Sequence, residues 1–127
     1  MSDRISALLA RSGTELEAAR VLASAEFADQ AISRAYYGAF YAAEAALIAL
    51  GETRSKHSGV VAAFGRLVVR EGGFDAKLGG ELRRLFELRN AADYSWLDAP
   101  NPEADDPIGA AKRFVEGVER WIAEREA

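Results

Sequence analysis

The sequence predicts an all-α protein, an up-and-down helical bundle, on three observations. Apolar residues recur at helical spacing through five segments, no stretch alternates as strands do, and most links between segments are a few residues long. The first helix is expected from about Asp3 to Ser24, where Ile5, Leu8, Leu9, Leu16, Ala19 and Ala23 recur at helical spacing and Gly13 weakens the middle slightly. The second is expected from about Phe27 to Leu50. Ile32, Tyr36, Ala39, Phe40, Ala43 and Leu47 form its apolar line, and Gly51 is a natural stop.

A third helix is predicted to start near Ser55 as its N-cap, to run through Val60, Val61, Phe64, Leu67 and Val68, and to end at Glu71-Gly72-Gly73. The fourth starts near Asp75 and carries Leu78, Leu82, Leu85, Phe86 and Ala92, with the Gly79-Gly80 pair weakening its first turn. Pro100, Pro102 and Pro107 are read together as a break before the fifth helix, which carries Ile108, Ala111, Phe114, Val115, Val118, Trp121 and Ile122. With 127 residues, half of them apolar, the chain is expected to form one domain over residues 1–127.

Composition narrows the chemistry. There is no cysteine, which removes disulfides, thiolate metal sites and a cysteine nucleophile. The N-terminus lacks a signal-like apolar stretch and no window reaches membrane-span length, so a cytoplasmic protein without membrane contact is expected. Net charge is −4, which argues against a general nucleic-acid coat protein. The charge is uneven, however: residues 54–92 hold eight basic and four acidic groups, while both flanking segments are acidic. That middle third is either an ordinary solvated face or a local positive surface.

Three short segments hold the candidate functional residues. In the second helix, Arg34, Tyr37 and Tyr41 share a face next to Tyr36 and Phe40, which read as core. An arginine beside a packed face needs a carboxylate or phosphate partner. The fourth helix closes on Arg89-Asn90-Ala91-Ala92-Asp93-Tyr94. Arg89 and Asp93, four apart, can pair along the helix; alternatively Asp93 pairs with Arg34 and leaves Arg89 free for a phosphate. His57, the single histidine, follows Lys56 at the expected start of the third helix, where unpaired N–H groups attract anions. No transition-metal site is expected with one histidine and no cysteine, and no cofactor-binding fingerprint is present.

Taken in order, Arg34-Ala35-Tyr36-Tyr37-Gly38-Ala39-Phe40, Lys56-His57-Ser58-Gly59-Val60 and Arg89 through Tyr94 resemble the small stand-alone prokaryotic members of the HEPN superfamily, over roughly residues 5–122. The resemblance implies a four-helix bundle with an additional C-terminal helix, commonly dimeric. It also implies a minimal nucleotidyltransferase partner in a toxin–antitoxin-like module, in which the HEPN protein is typically a metal-independent endoribonuclease. Active relatives place a catalytic arginine and histidine a few residues apart.

Arg89 occupies the arginine position, with Asn90 and Asp93 matching the polar positions, but Tyr94 stands where those relatives have histidine. An ordinary tyrosine, with a pKa of about 10, is a poor general base near neutral pH. The expected site is therefore Arg89, Asp93, Tyr94 and His57, with Arg34, Tyr37, Asn90 and Lys56 as binding residues. The favoured expectation is a homodimeric, nucleotide- or RNA-associated partner of a nucleotidyltransferase. The alternatives are an endoribonuclease toxin weakened by Tyr94, or a purely structural helical dimer.

Overall fold

The computed structural model describes residues 2–93 and 105–126. All its regular elements are helical: α1 (Asp3–Ser24), α2 (Ala28–Ala49), α3 (His57–Ala63), a π-helical segment (Phe64–Arg70) that continues α3, α4 (Ala76–Asp93) and α5 (Asp105–Glu126). The architecture is the all-α bundle with a C-terminal helix that the sequence predicts.

Central α2 packs against α1, α4 and α5. Its alanines explain the arrangement: Ala31, Ala35, Ala39, Ala42, Ala43, Ala45 and Ala46 are all fully buried, so neighbouring helices approach on more than one side. Gly38 marks the closest approach to α1. A Cβ there would lie 2.9 Å from Leu16 Cδ2 and 3.3 Å from the Ser12 carbonyl oxygen. Larger side chains from the other helices fill the remaining core, with Phe64, Phe74 and Phe114 meeting at ring-centroid distances of 5.2–5.9 Å.

Local chemistry sets the helix ends. Ser2 Oγ accepts from the Ile5 N–H at 3.2 Å and caps α1. The α1–α2 turn is made by Glu26 in the left-handed region (φ 68°), with the Phe27 N–H donating to the Leu22 carbonyl. Gly51 (φ 76°) ends α2 in the same way, and the Glu52 N–H reaches the Leu47 carbonyl at 2.9 Å. Asp75 Oδ2 accepts from the Leu78 N–H at the start of α4, so its first turn forms despite Gly79 and Gly80.

Two expectations are corrected. The third helix starts at His57 with Lys56 at the N-cap and no side-chain cap bond, so Ser55 is not the cap. Pro107 lies in the first turn of α5 rather than in a break before it, and is fully buried. A helix tolerates proline there because the missing N–H would have had no intrahelical partner. Pro100 and Pro102 fall outside the described residues.

The lower half of the expected third helix also changes character. Between Phe64 and Arg70 the ladder widens, as in the bond from the Glu71 N–H to the Arg66 carbonyl (3.1 Å), five residues back. The chain then turns at Gly73 (φ 75°), and Trp121 of α5 fastens this turn by donating from Nε1 to the Gly72 carbonyl at 2.8 Å. No helix among the described residues is long and apolar enough to cross a membrane.

Candidate functional site

The structure brings His57, Arg89 and Tyr37 to one place around Tyr36. Tyr36 is a buried residue of α2 whose position alone marks it as core. Its hydroxyl nevertheless lies 3.1 Å from His57 Nδ1, because the chain after Gly51 returns the start of α3 to the side of α2. Phe40, one turn further along α2, stacks on the imidazole with centroids 4.2 Å apart and planes at 25°. Tyr37 meets the same ring edge-on at 5.5 Å. An aromatic wall therefore holds His57 on two sides.

Arg89 approaches from α4. Its guanidinium carbon sits 5.0 Å from the centre of the Tyr36 ring and 5.8 Å from those of Tyr37 and Phe86. Rings at these distances attract a cation through their negative faces. Nη1 donates a long bond to the Tyr37 hydroxyl, 3.4 Å. Asp93 Oδ2 is 3.8 Å from Nε, too far for a hydrogen bond, and Asp93 itself is largely solvent-exposed. The Nε atom is buried and makes no hydrogen bond. The Asp93 contact is too long to be a hydrogen bond and its carboxylate faces solvent, so most of the guanidinium's donor capacity is uncommitted.

Electrostatics follow from this packing. Burial pushes the Tyr36 phenol far above its ordinary value, against the opposing pull of Arg89. Tyr36 therefore keeps its proton and can donate it to His57 Nδ1. Burial, with Arg89 second, lowers the His57 pKa. The imidazole is therefore neutral at pH 7, and a donor bond from Tyr36 leaves Nε2 carrying its proton. The site thus holds one permanent cation, one neutral imidazole and a protonated phenol, which together suit an oxyanion.

The other expected residues separate from this centre. Arg34 pairs with the buried Glu15 of α1, 2.5 Å between Nη1 and Oε2, which overturns the alternative pairing of Arg34 with Asp93. Its guanidinium carbon also lies 4.8 Å from the Tyr37 ring centroid, so two arginines lie within 6 Å of that ring. Lys56 is exposed at the head of α3, and Asn90 is half-buried beside Arg89. Tyr94 lies outside the described residues. Tyr36 and Phe40, which touch His57 at this candidate site, are positions the sequence assigns to the core alone. Glu15, which anchors Arg34, was not singled out at all. Glu44, on the turn of α2 after Phe40, is held above the usual carboxylate range by burial, with Arg4 opposing. Among the described residues no three histidine, aspartate or glutamate side chains cluster as metal ligands.

A profile of the HEPN domain matches residues 5–121. The chain belongs to the HEPN family. It is 38% identical over 108 residues to a UPF0332 protein of Thermotoga maritima, covering 84% of this chain and 82% of that one. It is 31% identical over 122 residues to a Methanocaldococcus jannaschii protein named "Putative toxin", covering 96% and 91%. A UPF0332 protein of Gloeobacter violaceus is 30% identical over 119 residues, covering 92% and 94%. For this HEPN protein, the profile spans all three segments that carried the resemblance and leaves out only residues at the two ends of the chain.

Proposed function

We propose that this HEPN protein works as a homodimer that recognises phosphate groups of a nucleotide or RNA, as the partner of a minimal nucleotidyltransferase in a toxin–antitoxin-like module. The observation that carries the reading is Arg89: a guanidinium set among three aromatic rings, with Nε buried and free of hydrogen bonds and only a distant, exposed carboxylate beside it. A planar fork of N–H donors in a partly dehydrated setting matches a phosphate, and the bonds are charge-assisted. Neutral His57 adds a donor without requiring a second buried charge. The homodimer and the nucleotidyltransferase come from the family resemblance, and relatives that carry a toxin name support the module.

One observation favours the endoribonuclease as a second reading. A neutral imidazole oriented by Tyr36 beside Arg89 is equipped to move a proton while the arginine steadies a charged phosphate. In that case His57 takes the proton-transfer role that Tyr94 fills poorly.

The test measures nucleotide and RNA binding, and RNA cleavage, for wild type, Arg89→Ala and His57→Ala, with and without the partner. The expected result is binding by wild type that weakens about 10- to 100-fold in Arg89→Ala, the worth of one or two charge-assisted bonds. Cleavage by wild type alone, lost in His57→Ala, establishes the second reading. Unchanged binding in Arg89→Ala leaves only a structural role for this arginine and sinks the proposal.

A further inference from the structure

A cleft of about 570 Å³ runs between two helical walls, α3 with its π-helical continuation on one side and α4 on the other. Arg89, His57 and Tyr36 do not line it. Its surface is built of small residues: Ala62 and Gly65 are exposed on the first wall, Ala76 and Gly80 on the second, above buried Phe64 and Leu82. A Cβ at Gly65 or at Gly80 would meet no atom within 4 Å, so at both points the cleft is open down to the main chain. The walls meet at Gly79, where a Cβ would lie 2.6 Å from Val69 Cγ2.

The rim is cationic. Arg66 and Arg70 stand on the first wall, Arg83 and Arg84 on the second. Arg66, Arg70 and Arg83 are exposed, and among the described residues none of them has an ion-pair partner. Arg84 shows what this rim accepts, since it pairs with two carboxylates, Glu81 of its own helix and Asp106 from the first turn of α5. Ala76, Gly80, Arg83 and Glu87 recur at helical spacing and form one continuous face of α4. Such a face beside a second helical wall is a seat for a further helix.

We propose that this cleft is the docking groove for an acidic amphipathic helix of a partner protein. Its apolar side chains rest on the alanine and glycine surface, and its carboxylates meet Arg66, Arg70 and Arg83. Charge complementarity carries the choice of partner. Residues 54–92 hold eight basic and four acidic groups in a chain of net charge −4, so an acidic partner is drawn to this strip and repelled elsewhere. Guanidinium forks match carboxylates, and small residues on both walls let a helix approach closely without a deep pocket. A phosphodiester chain fits less well, because Glu87 lines the same cleft and no aromatic face is exposed there for a base to stack on. The inference is independent of the phosphate reading of Arg89.

The probe is a labelled synthetic peptide of about 18 residues, long enough to form a helix alone. Leucines and alanines at i, i+3, i+4 and i+7 make its apolar face, and glutamates flank that face. A second peptide has the same composition with the helical spacing broken. Fluorescence anisotropy at low salt compares wild type, the triple variant Arg66→Gln/Arg70→Gln/Arg83→Gln, and Gly80→Leu. The triple variant is expected to bind the amphipathic peptide about tenfold more weakly, from three lost ion pairs. Gly80→Leu fills the cleft while keeping every charge, and is expected to weaken binding as much. It also replaces a helical glycine whose Cβ has open space, so its melting temperature is expected to be no lower than wild type.

No binding of the amphipathic peptide by wild type overturns the proposal, as does wild-type affinity in either variant. Equal binding of the peptide with broken spacing overturns it too, because attraction by charge alone needs no seat. A 2′-O-methyl RNA that displaces the peptide from wild type, and binds more tightly than the peptide, overturns it in favour of a nucleic acid. Weaker binding in both variants, with the peptide of broken spacing binding poorly to all three proteins, establishes the groove.

Discussion

His57 owes its behaviour to two neighbours that share its helix-to-helix seam, Tyr36 and Phe40. Because burial lowers its pKa, the unfolded chain takes up a proton first as the pH falls. Its contribution is therefore intact above about pH 6.5, the unfolded value, and is lost as the pH drops from there through the folded value. Denaturant unfolding at about pH 7 and about pH 5 is expected to show a loss on acidification that shrinks in His57→Ala. Glu26 carries a different local cost, since it holds φ at 68° without being glycine. Replacing it with glycine is expected to raise stability by about 0.5–1 kcal/mol in thermal unfolding. At this scale much of the site was hidden in the sequence. Arg89 and His57 stood out by residue type, but Tyr36 and Glu15 did not. A buried tyrosine on an apolar line reads as filling, and a glutamate on α1 reads as solvated until Arg34 is seen beside it.

Helices were the most legible level. The limits of α1 match the expected Asp3 to Ser24, and α2 differs from expectation by one residue at each end, because long amphipathic stretches with terminal signals constrain themselves locally. The π-helical segment was not legible: an expanded turn shifts periodicity by a single residue, which a short apolar run of Phe64, Leu67 and Val68 conceals. Pro107 misled for a related reason, since a proline marks a helix boundary without saying on which side it falls. The α1–α2 contact carries a sharp expectation. Gly38→Val inserts atoms where Leu16 Cδ2 and the Ser12 carbonyl already stand, and is expected to cost about 1–3 kcal/mol by calorimetry or denaturant titration. Gly13→Ala is the control, since no atom lies within 4 Å of its added Cβ, and it is expected to be neutral or stabilising.

For the whole molecule, the all-α architecture follows from patterning, whereas assembly does not, because no intrachain contact records a second copy. The proposed homodimer is checked by light scattering on the purified protein: a dimer mass supports it, and a clean monomer at working concentrations rejects it. Assembly also bears on Arg89, since a dimer that pairs two such sites would double the local cation density. The π-helical segment has a further, genealogical consequence. It is one residue away from an ordinary helix, so deleting a single position such as Gly65 is expected to rewind it and swing Arg66 and Arg70 by roughly 100° relative to the residues before the deletion. A chain shorter by that one residue would keep the same bundle yet present different side chains on this face. Loop-free length variation inside a helix is thus a means by which this small scaffold can change the charge it displays while preserving its core.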